Sequence, residues 1–400
     1  MGQAKREWME AEERGWSSPE GYVCESCVED DFLKGLVLQN LASRTCSFCG
    51  KKSRKYVAAP VEALMPAIAG AVGHSFSDPT RAGVPWDEGP LDEGECTLSM
   101  LDGLPLEGHD KFITAVADAL HNQMWVRAAG GMWMASHESE VLSDSWQHFV
   151  HTVKHRTRFH FHLDCSDDRM GTCAESPGFL LAKLGELVHR AGLLKSIERG
   201  SALFRVRVRN DDSWVASENE MGPPPVSKAT SGRMNPAGIR YLYTALEDST
   251  ALAEALGSPP QEVVLATFSV ARPLTVVDLC NMPSVPSIFD VARLPLHDGL
   301  CFLHEFVREI SKPVSKHSDE RIEYVPTQVV CEWFAQVFEP RGEGSRVDGL
   351  MYPSAVRPGG RNLVLFPRRD GWQWVFDGVK YRNASELSLK TWADVFKRVE

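Results

Sequence analysis

Four cysteines stand in two tight pairs, "CESC" at Cys24 and Cys27 and "CSFC" at Cys46 and Cys49, with 18 residues between the pairs. Thiolates two residues apart on a turn grip a soft ion from one side. A second pair closes a tetrahedron, so the spacing predicts a zinc site with four cysteine ligands. Such a site keeps no open coordination position, which makes its role structural. The basic run "GKKSRK" follows at once. Its Lys51, Lys52, Arg54 and Lys55 read as a solvated turn, with phosphate contact as the alternative. The other six cysteines are scattered, as small core residues are.

Later residue types could do chemistry too. Histidine is dense in "HTVKHRTRFHFH", at His151, His155, His160 and His162. "ALFRVRVRN" repeats Arg205, Arg207 and Arg209 at every second position, which on a strand puts three guanidinium groups on one face. In "YLYTALEDSTALAEAL", Glu254 sits at the edge of a helical stripe of Ala251, Leu252, Ala255 and Leu256. Ser354 lies on a sharp "YPS" turn. Taken singly these residues are ordinary: a solvated helix flank, a surface arginine, a turn serine and, at Tyr243, a core aromatic.

The elements that must position them follow from patterning. At 400 residues, 43% of them hydrophobic, the chain has ample core for two or three domains. Its net charge of −11 argues against a general nucleic-acid coat. The start, "MGQAKREWMEAEERG", is charged where a signal peptide is apolar, and Arg6 breaks the myristoylation pattern. "VAAPVEALMPAIAGAVG" is too short to cross a bilayer, so the expectation is a cytoplasmic protein without a membrane partner. Residues 1–56 form the zinc module. Residues 57–195 read as mainly helical, through "GHDKFITAVADALHNQMWV", "LSDSWQHFVHTVKHRTRF" and "PGFLLAKLGELVHRAGLL", with a long loop at 78–95.

From 196 onward the pattern is mixed. A stretch of nearly thirty polar, Gly- and Pro-rich residues follows the arginine strand. "YLYTAL" then reads as a strand, and Asp248 and Ser249 offer caps for a helix. "EVVLATFSV", "LTVVDL", "VDGLMYPSAV" and "NLVLFP" read as strands. "SIFDVARL", "GLCFLHEFVREIS", "YVPTQVVCEWFAQVF" and the closing "LSLKTWADVFKRV" read as helices. "GEGSRVDG" lacks the Lys-Ser/Thr of a phosphate-cradling loop. The expected class is α+β: a zinc module, a helical domain at 57–195, and a mixed sheet flanked by helices at 196–400.

Three separated segments resemble the RES domain: "ALFRVRV", "GRMNPAGIRYLYTALEDSTALAEAL" and "GLMYPSAVRPGGRNLVLF", over roughly 200–370. The resemblance places the family's arginine at Arg205, its glutamate at Glu254, its serine at Ser354 and its strand tyrosine at Tyr243. The usual Gly-Arg-Trp-Asn is here "GRMN", with Met234 for tryptophan, which keeps Arg233 and Asn235 but not an aromatic stack. Arg207 is one pleat repeat from Arg205 and could share its role. The N-terminal half is similar to the zinc-knuckle and HEPN-type module fused ahead of some RES domains. Arg156 and His162 fit the Arg–x(4–6)–His spacing of HEPN ribonucleases, with a packing helix and a histidine metal site as the other readings.

The resemblance implies a fold like that of ADP-ribosyltransferases and an enzyme that consumes NAD. Family members cleave the nicotinamide–ribose bond with water or phosphate as acceptor, and some are discussed as transferring ADP-ribose to protein. Glu254 would then stabilise the ribosyl cation, with Arg205 and Arg233 on the pyrophosphate and Arg207 and Asn235 as further NAD contacts. Ser354 would anchor the ribose or amide, and Tyr243 would stack on the nicotinamide or order its ribose. Such an enzyme would be a toxin or defence effector with an antitoxin or regulatory partner, or an assembly-dependent site in a homo-oligomer. An RNA-cutting protein with the RES domain as NAD sensor is the competing class.

Overall fold

A computed structural model of the chain describes residues 3–84, 94–121, 124–133, 135–160, 174–209, 214–255, 261–312, 319–370 and 373–389. The chain divides into two compact units. One comprises Met1–Val141 with Val285–Gly299, the other Leu142–Ser284 with Leu300–Glu400.

In the first unit the strand Tyr22–Cys24 pairs antiparallel with Ala58–Pro60. Helix Asp31–Gln39 starts on Asp30, whose carboxylate accepts from the Leu33 N–H at 2.9 Å. Its Leu33 and Val37 join Leu64, Ile68 and Phe112 in one buried core. Helix Met65–Ser75 carries the early apolar run. Helix Asp110–Ala119 forms where the periodicity of Phe112 and Val116 predicts it. The following "MWV", expected to continue that helix, instead begins the strand Met124–Ala129. That strand lies between Phe76–Ser77 and Glu95–Cys96 and turns back into Met132–Trp133. The reversal sits on Gly130 and Gly131, both left-handed (φ 59° and 81°), as a two-residue hairpin turn requires. The "GG" between alternating apolar residues is the local signal for it.

Helix Glu138–His151 matches the second helical segment and ends in a π-turn at Thr152–Arg156, while Pro177–Arg190 matches the third. Arg156 closes that π-turn; His162, its expected HEPN partner, lies outside the described residues.

The second unit is built on eight strands: β1 (Leu194–Ile197), β2 (Ala202–Val208), β3 (Leu242–Ala245), β4 (Gln261–Val270), β5 (Leu274–Asp278), β6 (Gly349–Pro353), β7 (Arg361–Leu365) and β8 (Val379–Leu389). They lie in the order β8-β4-β2-β3-β7-β6-β5-β1. Only β5 and β6 run parallel to one another. This mixed sheet, flanked by helices, is the expected α+β architecture. Leu203, Leu242, Val264, Ala266, Val276, Met351 and Leu363 bury against one another across it.

Two more helical expectations fail, one in each unit. "SIFDVARL" holds only a 3-10 turn at Val291–Arg293, and the next helix starts earlier than expected, at Leu294, running to Ser311. Pro295 sits in its first turn, where a missing N–H is tolerated. In "LSLKTWADVFKRV", Leu387 to Leu389 extend β8, and residues 390–400 lie outside the described residues. The long β4 offers a partner out to Gln261↔Leu389, and Leu387 packs with Leu252 and Val263. Tertiary pairing overrides the local periodicity. Among the described residues, no helix is long and apolar enough to cross a membrane.

Candidate active site

The sheet is loosely joined at one seam. β2 pairs with β4 over seven consecutive residues but meets β3 only at Phe204↔Ala245. Beyond that bridge lies a cavity of about 210 Å³, lined by Arg205, Tyr243, Glu254, Tyr352 and Asn362 among others.

Glu254 reaches it from helix Asp248–Ala255. The helix begins where Glu247 C=O accepts from the Ala251 N–H and where the Asp248 carboxylate accepts from Ser249. Glu247 also accepts from the Arg361 side chain at 2.7 Å and from Thr250 at 2.8 Å, fastening the helix start to β7. On the other side Leu252 packs with Val206, Val208 and Val263. Burying a leucine stabilises that seat by about 1.5–3 kcal/mol. Ser249 to Leu252 are buried in consequence, and Glu254 is exposed in the last turn.

Two donors converge on that carboxylate. Ser354 Oγ and Asn362 Nδ2 each reach Glu254 Oε1 at 2.6 Å. Ser354 follows the end of β6, and its Oγ accepts in turn from the backbone N–H of Arg357 (3.0 Å) and Val356 (3.3 Å). With its lone pairs filled by the turn, the hydroxyl has its proton free to give to Glu254. The loop closes through Ser354 N–H to Gly360 C=O, and Gly359 takes a left-handed φ of 74°. Asn362 is buried on β7 directly opposite Tyr352 on β6. Both donors fall on Oε1, leaving Oε2 without a partner among the described residues.

Arg205 comes from β2. Its Nη1 is sealed from solvent with no hydrogen-bond partner among the described residues, and burial, with Arg207 adding repulsion, pushes its pKa down. A buried guanidinium nitrogen left unpaired is costly and suits an incoming anion. Arg207 is placed differently. It does not line the cavity, and its Nη2 donates to Gly222 C=O at 3.3 Å.

Tyr243 lines the cavity with its ring, but its hydroxyl is already used. It donates to Asn235 Oδ1 at 2.7 Å and accepts from the Met234 N–H at 3.0 Å. Burial raises its pKa. Asn235 is buried, and its amide donates to the carbonyls of Thr230, Pro236 and Ile239. Gly232 is forced by this packing, because a Cβ there would lie 2.7 Å from Asn235 Oδ1 and 2.8 Å from the Tyr243 oxygen. Arg233 donates to the carbonyls of Ile310 and Lys312, both at 2.9 Å, at the end of helix Leu294–Ser311. The geometry therefore brings Arg205, Tyr243, Glu254 and Ser354 together and commits Arg233 and Asn235 to backbone carbonyls. Met234 is fully buried against Cys331.

Asn362 and Tyr352 escape the sequence reading. An asparagine at the start of an apolar strand and a tyrosine inside one carry no local signal of a site. Tyr352 is buried, which holds its hydroxyl protonated well above the usual range.

The four cysteines of the first unit do meet. Sγ–Sγ separations are 3.7 Å for Cys24–Cys27, 3.6 Å for Cys24–Cys49 and 3.7 Å for Cys27–Cys46. A tetrahedral ion with Zn–S arms of ~2.3 Å has edges of ~3.8 Å, so the cluster has the size to hold a metal ion. Burial acts to raise the Cys46 thiol pKa, but the backbone N–H groups of Cys49 and Phe48 and others outweigh it and draw it down to about 7.

Residues 39–167 match HEPN/RES N-terminal domain 1, and residues 202–377 match the RES domain. Cys46 and Cys49 fall inside the first match, and Cys24 and Cys27 precede it. No curated protein and no solved structure matches the chain. Arg205, Glu254, Ser354 and Asn362 all lie within the second match, and over these two stretches the chain belongs to the RES-domain proteins that carry a HEPN/RES N-terminal domain.

Proposed function

We propose that the cavity of the second unit binds NAD and that the protein breaks the bond between nicotinamide and ribose, as a glycohydrolase or phosphorylase. The observation that carries this is one carboxylate, Glu254, gripped through Oε1 by Ser354 and Asn362 while Oε2 stays unclaimed, in a cavity shared with the unpaired Arg205.

The chemistry asks for little more. Nicotinamide departs from its cationic ring as a neutral pyridine, so it needs no strong acid. Positive charge grows on the ribose instead, as in glycoside hydrolysis. Glu254 Oε2 is suited to face that charge and to hold the 2′-hydroxyl, while Ser354 and Asn362 keep the carboxylate oriented. A fixed charge aimed at a developing one is often the largest catalytic contribution. Arg205 supplies a guanidinium for the pyrophosphate. The ring of Tyr243 offers an apolar wall to the nicotinamide, with its hydroxyl spent on Asn235. At about 210 Å³ the cavity is smaller than the ~300–1,000 Å³ that encloses a drug-sized ligand, which favours holding the nicotinamide-ribose end with the adenosine end outside.

On this reading the chain is a toxin or defence effector acting on the cytoplasmic NAD pool, restrained by an antitoxin, a regulatory protein or self-assembly. Residues 1–56 form a module with structural zinc, 57–195 a HEPN-like domain, and 196–400 the enzyme. The test is NAD consumption by the full-length chain, with products separated as free ADP-ribose, ADP-ribose phosphate or label on protein. Nicotinamide release by the wild type and its loss in Glu254→Gln are the expected results. Undiminished release from a folded Glu254→Gln protein would overturn the assignment.

A further inference from the structure

A second cluster of metal-ligating side chains lies in the first unit, apart from the cysteines. His74 sits in the last turn of helix Met65–Ser75, and His137 immediately precedes helix Glu138–His151. Asp298 lies in the second turn of helix Leu294–Ser311. That last segment enters the first unit from far along the chain and is anchored there by Phe289, buried in the same core as Ile68 and Phe112.

Their donor atoms converge. His74 Nε2 is 3.5 Å and His137 Nδ1 is 3.8 Å from Asp298 Oδ2, and the three ligand atoms all lie within 4.8 Å of one another. Nitrogen–oxygen hydrogen bonds lie at about 2.7–3.2 Å, so neither contact is a good one. His74 Nε2 is in fact sealed from solvent with no hydrogen-bond partner among the described residues. Ligands spread ~110–120° around an ion at ~2.0–2.1 Å stand ~3.3–3.6 Å apart; the His74 gap falls in that range and the His137 gap is slightly wider. The other Asp298 oxygen, Oδ1, is held by His297 Nδ1 at 3.3 Å, as the outer partner of a metal carboxylate usually is. The carboxylate is buried, so it does not act as a solvated surface charge.

We propose that His74, His137 and Asp298 bind a divalent first-row transition ion. Two imidazoles and one carboxylate, with no thiolate, are the donor set of Zn2+ or Fe2+ rather than of Mg2+ or Ca2+. Three protein ligands leave a coordination position for water. The ion would tie together three segments that share no local sequence, including the one contributed by residues 285–299.

The test measures bound metal on the full-length protein. After equilibration with micromolar zinc and removal of the excess, the wild type should carry one more equivalent than His137→Ala, with the circular dichroism of the two proteins alike. His74→Gln is the second variant, should His137→Ala fold poorly. Cobalt substitution separates the two sites, because only thiolate ligands give strong sulfur-to-metal charge-transfer bands. Those bands should persist in the histidine variants while the weaker d–d absorption of the histidine–aspartate site is lost. Equal metal content in wild type and both variants overturns the proposal and leaves a histidine–aspartate ion pair in its place.

Discussion

In the cysteine cluster all four residues lie between Cys24 and Cys49, and each pair needs only a turn to bring its sulfurs together. At the cavity of the second unit, Arg205, Glu254 and Asn362, with Ser354 bonded to Glu254, come from two strands, a helix and a loop, and no two of the four are neighbours in sequence. The cysteine sulfurs approach one another at the spacing a tetrahedral site demands. The cavity keeps one carboxylate oxygen and one guanidinium nitrogen without partners among the described residues. A saturated set of donors stabilises a fold; a set left partly unsatisfied is available for a ligand.

That contrast can be broken by removing one member of each set. The largest effect belongs to Cys27→Ser. Structural zinc contributes ~10–16 kcal/mol in small zinc peptides at neutral pH, so loss of a ligand should release the metal and open residues 16–64 to protease. Stoichiometric zinc retained by a protease-resistant Cys27→Ser protein would remove the structural role. Glu254→Gln should act in the opposite sense. Turnover of NAD falls ~10²–10³-fold, the cost of deleting a preorganised electrostatic group. Glu254 is exposed, so melting should shift by no more than ~2 °C.

Arg205→Met sharpens the same point. An unpaired buried charge destabilises the free protein, so the variant should be more stable by ~1–2 kcal/mol while its KM for NAD rises ~10–100-fold. A variant both less stable and unchanged in KM would show that Arg205 is structural. The smallest effect on chemistry is expected at Tyr243→Phe. It strips Asn235 Oδ1 and the Met234 N–H of a partner, costing ~1–3 kcal/mol of stability, yet leaves the ring in the cavity. Thermal unfolding together with kcat at a permissive temperature separates the two contributions. A large loss of kcat without a loss of stability would instead make the hydroxyl part of the reaction.

Much of the second unit is legible in the sequence. β2, β3, β4, β5, β6 and β7 fall on runs of β-branched and aromatic residues, because a half-buried pleat selects those side chains. The failures share a cause. Leu387–Leu389 and Met124–Val126 each sit in a segment with helical periodicity, yet both are strands, because a neighbouring strand offers more hydrogen bonds and burial than an isolated turn of helix. Local propensity amounts to tenths of a kcal/mol per residue, and pairing outweighs it.

The sequence by itself determined the metal-sized cysteine cluster, since two turns and a spacer suffice to build it. The resemblance to the RES domain also singled out Arg205, Glu254 and Ser354 together as candidates. Only the tertiary structure decided which of the expected residues share a cavity. Arg233 and Asn235 stand beside Tyr243 in the same motif, but backbone carbonyls claim their donors. Asn362 has no motif at all, and it reaches Glu254 because antiparallel register sets it opposite Tyr352 on the next strand. His74, His137 and Asp298 show the same limit: their spacing along the chain is arbitrary, and only packing brings their donor atoms within reach of a common ion.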